Sequence, residues 1–307
     1  MKYDLAVIGG GPAGTAAGVY AARKKMKTVF ISDGFGGQSV VSEEIQNWIG
    51  EVAISGADLA RKFEKHLQAQ KDLEIVMDWA EKIEKKGEEF LVTTKRGNQF
   101  ETKAIFLALG SRRKRLGVEG EEKFIGRGVA YCATCDAPLF RGKDVAVVGG
   151  GNAGLESALD LVPYANKIYL LEFGDSLKGD AITQEKVKAS GKVEIVLKSK
   201  VEEILGEAIV KGLKYEDLRN GEKKELSVQG VFVEIGSVPN SEMVKDLVNL
   251  NERGEIIIDH KTQMSSCLGI WAAGDVSDVL YKQNNISAGD AVKAVMNIQE
   301  WLNKKNQ

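Results

Sequence analysis

Three short runs in this sequence contain residues whose types and spacing could do chemistry. The run Cys132-Ala133-Thr134-Cys135-Asp136 holds two cysteines with two residues between them. Such a pair can close into a small, reversible disulfide ring, and the pKa of one thiol can be lowered. The other two runs, Gly9–Gly14 and Gly149–Gly154, have the spacing G-x-G-x-x-G and lie on either side of the cysteines. A run of this kind holds a dinucleotide pyrophosphate when a strand precedes it and a helix follows it.

Together the three runs suggest a reaction class. Electrons would move from one nucleotide, through a second, into the disulfide formed by the two cysteines. Cys132, Cys135 and Asp136 are therefore the candidate catalytic residues. Glycine runs alone are weak evidence, because glycines also mark tight turns that bind no nucleotide.

The cysteine pair also has interpretations that involve no electron transfer. As half of a zinc site it would need two more ligands, and only Cys267, His66 and His260 remain, scattered along the chain. We therefore expect no metal site. The pair could instead consist of small, inert core residues. Asp136 either caps a helix or exchanges a proton with a nascent thiolate, and both roles can coexist.

The bulk composition excludes several classes of protein. The chain has 307 residues, which suggests two domains of ~150 residues each. A net charge of -2 gives no electrostatic reason to expect nucleic acid or an acidic membrane as partner. The N-terminus lacks a secretory signal pattern, and no apolar run approaches the ~18 residues of a spanning helix. We expect a cytoplasmic enzyme with no membrane contact.

Both glycine runs stand in the same order of predicted elements. Each follows a strand and precedes a helix and a second strand, which is the start of a βαβ unit. An acidic residue, Asp33 or Glu172, stands about 20 residues after each run, where a carboxylate can accept hydrogen bonds from both ribose hydroxyls. The predicted elements are the strands Asp4–Ile8, Thr28–Ser32, Val145–Val148 and Lys167–Leu171 and the helices Ala13–Arg23 and Asn152–Val162.

Further strands are predicted outside these units. Phe90–Thr94 and Gln99–Lys103 should form a β-hairpin, followed by a separate apolar strand over Ala104–Leu109. Two later segments, Gly230–Gly236 and Leu268–Asp275, are predicted to be strands that run into loops. The charge-rich stretch 81–89 is predicted to be a solvated turn or an edge.

The last ~65 residues are too few for a domain of their own. They should complete the first domain, with the second domain inserted into it. The sequence therefore predicts an α/β fold with two Rossmann-like (three-layer ββα) nucleotide-binding domains, the first over 1–113 and 241–307 and the second, which carries the cysteines, over 114–240. Arg112–Leu116 and Ser237–Asn240 are the candidate hinges.

Two dinucleotide sites in one chain imply a flavin in one and a nicotinamide in the other. We assign FAD to the first site, because Gly36-Gly37-Gln38 and the distant Gly274-Asp275 can add contacts to an extended FAD. The candidate FAD-binding residues from these motifs are Gly9, Gly11, Pro12, Ala13, Gly14, Asp33, Gly37, Gln38 and Asp275. The candidate nicotinamide-nucleotide residues are Gly149, Gly151, Asn152, Ala153, Gly154 and Glu172.

The order of these motifs resembles a known family over nearly the whole chain. It is similar to the low-molecular-weight thioredoxin reductases and to the related flavoprotein subunit of alkyl hydroperoxide reductase. Besides the three runs above, the resemblance rests on Gly36-Gly37-Gln38, Glu44-Ile45-Gln46-Asn47-Trp48, Gly126-Arg127-Gly128-Val129, Gly274-Asp275-Val276 and Tyr281-Lys282-Gln283.

The resemblance implies FAD in the first domain and its C-terminal tail, NAD(P)H in the inserted domain, and a homodimer. It implies that Cys135 lies against the flavin, that Cys132 attacks the disulfide of a partner protein, and that Asp136 handles protons. The inserted domain would rotate, so that nicotinamide and dithiol take turns at the flavin. The resemblance adds Asn47, Ala80, Gly110, Lys282, Gln283 and Asn284 to the FAD set and Phe173 and Ile235 to the nicotinamide set.

One departure from the family concerns the nucleotide donor. NADPH-dependent thioredoxin reductases carry a His-Arg-Arg cluster where this chain has Leu171-Glu172-Phe173-Gly174-Asp175. A carboxylate there favours free ribose hydroxyls and repels a 2′-phosphate, and Lys178 is the only close cation. We therefore expect NADH in preference to NADPH. A lesser departure, Asn284-Asn285, would alter the flavin contacts.

The Leu-Glu-Phe sequence is similar to the peroxide-reductase branch, which usually carries an extra N-terminal redox domain. This chain begins at the flavin run, so we expect its electrons to leave to a separate thioredoxin- or glutaredoxin-like protein. The sequence thus predicts an NADH-preferring, flavin-dependent protein-disulfide reductase. Three alternatives stay open: an NADPH-dependent thioredoxin reductase, a ferredoxin- or flavin-fed relative with a vestigial nicotinamide site, and a non-catalytic flavin redox sensor.

Overall fold

The computed structural model describes residues 2–42 and 44–305. The chain divides into two compact units: the first comprises Met1–Glu43, Trp48–Arg112 and Val238–Gln307, and the second comprises Glu44–Asn47 and Arg113–Ser237.

In chain order the strands are β1 (Lys2–Ile8), β2 (Thr28–Ser32), β3 (Leu73–Met77), β4 (Ala80–Lys86), β5 (Glu89–Thr94), β6 (Gln99–Leu107), β7 (Ser111–Arg113), β8 (Val129–Ala130), β9 (Asp144–Val148), β10 (Lys167–Leu171), β11 (Val193–Val196), β12 (Ser199–Gly206), β13 (Val210–Asp217), β14 (Glu222–Leu226), β15 (Gly230–Val233), β16 (Ser237–Pro239) and β17 (Ile270–Ala272). The α-helices are α1 (Pro12–Arg23), α2 (Gly56–Gln68), α3 (Ala133–Asp136), α4 (Asn152–Leu161), α5 (Ala181–Ala189) and α6 (Asn284–Lys305).

The first unit is built on one sheet with the strand order β3-β2-β1-β6-β5-β4. β3, β2, β1 and β6 run parallel, whereas β5 and β4 are antiparallel to their neighbours. β17 pairs in parallel with the end of β6 and thereby joins the C-terminal segment to this sheet. Parallel strands place their carboxyl ends at one edge, which is where α/β proteins bind ligands.

Alternation along β1 shows why this sheet needs cover on both faces. Leu5 and Val7 pack with α1 and α6, while Ala6 and Ile8 pack on the other face with side chains of β4 and β5. All four side chains are at most 3% exposed. Near-continuous apolar strands of this kind occur in parallel sheets that are buried on both faces.

The second unit repeats this plan. Its parallel sheet has the order β11-β10-β9-β15-β8, and a separate antiparallel sheet has the order β12-β13-β14. Val145 and Val147 of β9 pack against α4, whereas Ala146 and Val148 pack against residues of β12 and β13. Each unit therefore has a parallel sheet between helices and antiparallel strands, and the predicted α/β class with two Rossmann-like domains is confirmed.

The structure differs from the predicted elements at one strand. Gln99–Lys103 and Ala104–Leu109 are not separate strands, because β6 runs unbroken from Gln99 to Leu107. Its first half pairs antiparallel with β5 and its second half pairs in parallel with β17. The polar first half and apolar second half suggested a break that the backbone does not make.

Two absences are established for the part of the chain that the structure describes. No group of three or more His, Cys, Asp and Glu side chains there is arranged to hold a metal ion. None of the helices in those residues has the length and apolar character needed to cross a membrane.

The central position of β6 leads to a stability prediction. Ile105→Ala should lower the free energy of unfolding by ~2–5 kcal/mol, because the side chain is 0% exposed and its loss leaves a cavity. Ile49→Ala, at a side chain that is 81% exposed in the same unit, should change it by less than ~0.5 kcal/mol. Urea denaturation followed by circular dichroism measures both. Equal effects in the two variants would contradict this account of the core.

Candidate active site

A cleft of about 850 Å³ opens in the first unit at the carboxyl ends of β1, β2 and β6. It has the size expected of a ligand pocket. Eleven of the predicted FAD-binding residues line it: Gly9, Gly11, Pro12, Ala13, Asp33, Gly37, Gln38, Ala80, Gly110, Asp275 and Asn284.

The turn between β1 and α1 depends on the lack of side chains at two glycines. A Cβ at Gly14 would lie 1.7 Å from the carbonyl oxygen of Gly9, and Gly9 itself has a φ of 112°. Gly11 is the N-cap residue of α1, and Pro12 occupies its first turn. The first amides of α1 therefore face the cleft, and a helix N-terminus of this kind favours an anion such as a pyrophosphate.

Polar side chains from distant parts of the chain close the opposite wall of the cleft. Gln38 Nε2 donates hydrogen bonds to Asp275 Oδ2 at 3.1 Å and to Ser111 Oγ at 3.2 Å. Asn284 Nδ2 donates to Ser39 Oγ at 2.8 Å. The combination of an anion-binding turn, a polar wall and this volume fits a dinucleotide such as FAD.

Four of the predicted FAD residues do not line this cleft. Gly14 supports the turn from behind, as its contact with Gly9 shows. Lys282 is held by Glu255 at 2.9 Å and by a backbone carbonyl, and the Gln283 carbonyl accepts the first amide bond inside α6. Asn47 belongs to the second unit, where its Nδ2 lies 4.0 Å from Cys135 Sγ. Their contacts with FAD stay predictions.

The cleft also contains residues that were not selected from the sequence. Trp79 and Lys95 come from β3–β4 and from the end of β5, and Met243 and Ser287 come from the C-terminal segment. Trp79 is 54% exposed, which is unusual for a tryptophan and is the one signal that could have drawn attention to it.

The second unit carries the other glycine turn, between β9 and α4. A Cβ at Gly154 would lie 1.7 Å from the carbonyl oxygen of Gly149. Gly151 is the N-cap residue of α4, and space around its Cα is open. Ala153 is exposed in the first turn of α4, and Ile235 follows β15 beside the Gly149 turn. This turn has the same anion-binding geometry as the first.

Glu172 is fixed directly against this turn. Its Oε2 accepts the amide of Gly150 at 2.6 Å, and its Oε1 accepts the amide of Gly174 at 2.7 Å. The residue is 8% exposed at the end of β10, while the neighbouring Phe173 is 66% exposed. Asn152 Oδ1 accepts the amide of Asp180 at 2.8 Å and holds the far end of the same loop. A carboxylate therefore occupies the place where an adenosine ribose would lie.

The two cysteines form a disulfide at the start of α3. Cys132 and Cys135 have a Cα–Cα distance of 5.3 Å, and both are partly exposed. Cys132 is the N-cap residue of α3, and its carbonyl accepts the amides of Cys135 and Asp136 at 3.2 and 3.0 Å. Thr134 Oγ1 donates to Asp160 Oδ2 of α4 at 2.7 Å. The pair is thus attached to the helix that begins at the glycine turn.

Asp136 lies half-buried directly after the pair. Burial raises the pKa of its carboxyl to about 6, because the charged form loses contact with water. The side chain makes no capping hydrogen bond to the 3₁₀-helix Ala137–Phe140 that follows. Its pKa lies close to neutral pH, which suits a group that must both take up and release a proton.

Two glycine turns of the dinucleotide-binding type and one vicinal disulfide define a nucleotide-dependent disulfide oxidoreductase. The chain belongs to the pyridine nucleotide-disulphide oxidoreductase family, whose model matches residues 3–297. This family implies FAD and a nicotinamide cofactor.

Similar proteins refine this assignment. The chain is 40% identical over 301 residues to a flavoprotein-type relative from Staphylococcus aureus that is named as a subunit of alkyl hydroperoxide reductase, covering 98% of this chain and 59% of that protein. A Bacillus subtilis protein named NADH dehydrogenase is also 40% identical, with 98% of this chain and 58% of that protein covered. The crystal structure of thioredoxin reductase from Streptococcus pyogenes has a TM-score of 0.92 at 35% identity, covering 99% of both chains.

The resemblance to thioredoxin reductases and the peroxide-reductase flavoprotein is thereby confirmed. The chain spans 58% to 59% of the length of the curated relatives it matches.

The raised pKa of Asp136 predicts how stability depends on pH. The folded pKa of about 6 exceeds the ordinary 3.8, so the protonated carboxyl is favoured by folding and this stability is lost as pH rises through 6. Asp136→Asn should therefore be more stable than the wild type at about pH 8, by ~1 kcal/mol, with the difference closing towards about pH 4.

Urea unfolding of the oxidised protein at several pH values measures this difference. Asp175→Asn, at an exposed carboxylate of the same unit, is the matched control and should show no such trend. A constant difference between Asp136→Asn and the wild type at every pH would contradict the assignment.

Proposed function

We propose that this chain is an NADH-preferring, flavin-dependent protein-disulfide reductase. The observation that carries the proposal is the Cys132–Cys135 disulfide, followed by a half-buried Asp136, in a chain with two dinucleotide-type turns. FAD, when bound, supplies the carrier that accepts a hydride and passes on two electrons. The residues of the first-unit cleft would hold it, and the second-unit turn would hold the nicotinamide nucleotide.

The reduced cysteines would act by thiol–disulfide exchange. The Cys132 thiolate attacks one sulfur of the acceptor's disulfide, forms a mixed disulfide and releases the other acceptor sulfur as a thiolate. Cys135 then attacks Cys132, reforms the internal disulfide and releases the second acceptor sulfur. The two protons lost by Cys132 and Cys135 go to the acceptor thiolates, and Asp136 would carry one of them. The acceptor we propose is a thioredoxin- or glutaredoxin-like protein.

The donor preference is supported by Glu172. Both of its oxygens are held by backbone amides, so the carboxylate stays in place beside the glycine turn. A fixed negative charge accepts hydrogen bonds from ribose hydroxyls and repels a 2′-phosphate. Lys178 is the single cation between 172 and 180, and one exposed lysine is a weak substitute for an arginine pair.

The wider organisation is part of the same proposal. We propose an FAD domain over 1–113 and 241–307, a nicotinamide domain over 114–240, a homodimer, and a cytoplasmic location. The name of the Streptococcus pyogenes relative supports a thioredoxin-like acceptor, because that chain is matched over its whole length. The Staphylococcus aureus relative bears the name of a peroxide-reductase component, which supports a peroxide-linked acceptor system as the setting.

An anaerobic titration tests the donor. NADH should bleach the visible flavin band at a concentration about tenfold lower than NADPH, equivalent to ~1.4 kcal/mol of binding preference. Glu172→Gln should reduce this ratio, because it removes the charge that repels a 2′-phosphate. Asp175→Asn removes an exposed charge from the same loop and should leave the ratio unchanged. Equal bleaching of the wild type by both nucleotides would reject the NADH preference.

A trapping experiment tests the acceptor. Cys135→Ser removes the thiol that resolves the mixed disulfide, so Cys132 should retain its acceptor as a stable adduct. Mass spectrometry of the adduct isolated from a cell lysate identifies the acceptor, and Cys132→Ser serves as the matched control. Adducts with Cys132→Ser but not with Cys135→Ser would reverse the roles of the two cysteines. The absence of any adduct would count against a protein acceptor.

A further inference from the structure

Glu234 is a buried carboxylate that the chemistry proposed above does not use. It directly follows β15 and is 7% exposed. Its Oε1 accepts a hydrogen bond from Ser157 Oγ of α4 at 2.9 Å, and the carboxylate also accepts the backbone amide of Ala133. Ala133 is the first residue of α3 and lies between the two cysteines. Glu234 therefore joins the helix of the second glycine turn to the disulfide segment.

The charges around Glu234 come from several elements. Burial raises the pKa of Glu234 to about 7, the Arg113 charge and the two hydrogen bonds lower it, and Asp160 raises it. Asp160 also accepts the hydroxyl of Thr134, the other residue between the cysteines. Both residues between the cysteines are thus bound by carboxylates, one buried and one exposed.

The Ala133 amide is the donor that a thiolate at the start of α3 would otherwise use. Cys132 is the N-cap residue, and free amides at a helix N-terminus stabilise a cysteine thiolate. Glu234 takes this amide and adds a negative charge, so both effects disfavour the thiolate of Cys132. A dithiol whose reduced form is stabilised is an oxidant. Withholding that stabilisation makes the pair a better reductant.

We propose that Glu234 is a positioning residue that holds the Ala133 amide and keeps reduced Cys132 in its thiol form, so that the pair readily gives up its electrons. This inference rests on the proposed function only in treating Cys132 and Cys135 as the pair that reduces an acceptor. In that exchange two thiols lose two protons and two electrons and close to one disulfide, while the acceptor's disulfide becomes two thiols.

The test measures how fast iodoacetamide alkylates Cys132 as a function of pH. The holoenzyme carries Cys135→Ser in every sample, and the peptide containing Cys132 is quantified by mass spectrometry. Glu234→Gln should move the midpoint of the profile down by about one pH unit, which is a tenfold gain in thiolate below the midpoint. Ser157→Ala keeps both the carboxylate and its contact with Ala133, so its midpoint should stay at the wild-type value.

An unchanged midpoint in folded Glu234→Gln enzyme would overturn the proposal, and so would an equal shift in Ser157→Ala. Glu234→Asp is the second variant if the glutamine variant does not fold. It keeps the charge but is one methylene too short for the Ala133 amide, so a smaller shift in the same direction is expected and no shift would overturn the proposal. Asp136 titrates near pH 6 in every sample and therefore cancels from the comparison.

The alkylation assay contains neither a nicotinamide nucleotide nor a protein acceptor. A protein that showed the midpoint shift but no NADH-dependent turnover would reject the proposed function and leave the role of Glu234 intact. A working reductase with equal midpoints in the wild type and Glu234→Gln would reject the role of Glu234 alone.

Discussion

The close approach of a helix to its own preceding turn is the constraint on which both units depend. In each unit the last glycine of the run lies so near the carbonyl of the first that a Cβ would come within 1.7 Å of its oxygen. Only glycine at Gly14 and Gly154 lets α1 and α4 start directly above β1 and β9. Because the helices start there, their first amides point at the carboxyl edge of the sheet, and the rest of each site is arranged around that anion-binding turn.

The parallel sheets bring the remaining site residues to the same edge. β1, β2 and β6 end together, so Gly9, Asp33 and Ala108 meet at one cleft although they are far apart in sequence. In the second unit, pairing of β10 with β9 places Glu172 within hydrogen-bonding distance of Gly150. Strand pairing therefore turns a pattern of periodic apolar residues into a defined charge beside a defined turn.

Local patterns could be predicted from the sequence because their causes are local. Thr28–Ser32 and Lys167–Leu171 are apolar runs between turns, and the structure has strands with those bounds. Contacts that depend on tertiary pairing could not be predicted in this way. Trp79 reaches the cleft only through the pairing of β3 with β2, and residues 44–47 join the second unit without any sequence signal. Glu234 looked like one more residue of an apolar strand end, and only folding places it on Ala133.

The surroundings of the disulfide separate two carboxyls with similar titration but different access. Burial raises the pKa of Asp136 to about 6 and that of Glu234 to about 7, so each can change protonation near neutral pH. Asp136 is partly exposed and makes no capping hydrogen bond, which leaves it able to exchange protons with solvent and with Cys135. Glu234 is held by a hydroxyl and an amide in the interior, where proton exchange is slow to reach it. The exposed carboxyl is therefore suited to moving protons, and the buried one to fixing the peptide between the cysteines.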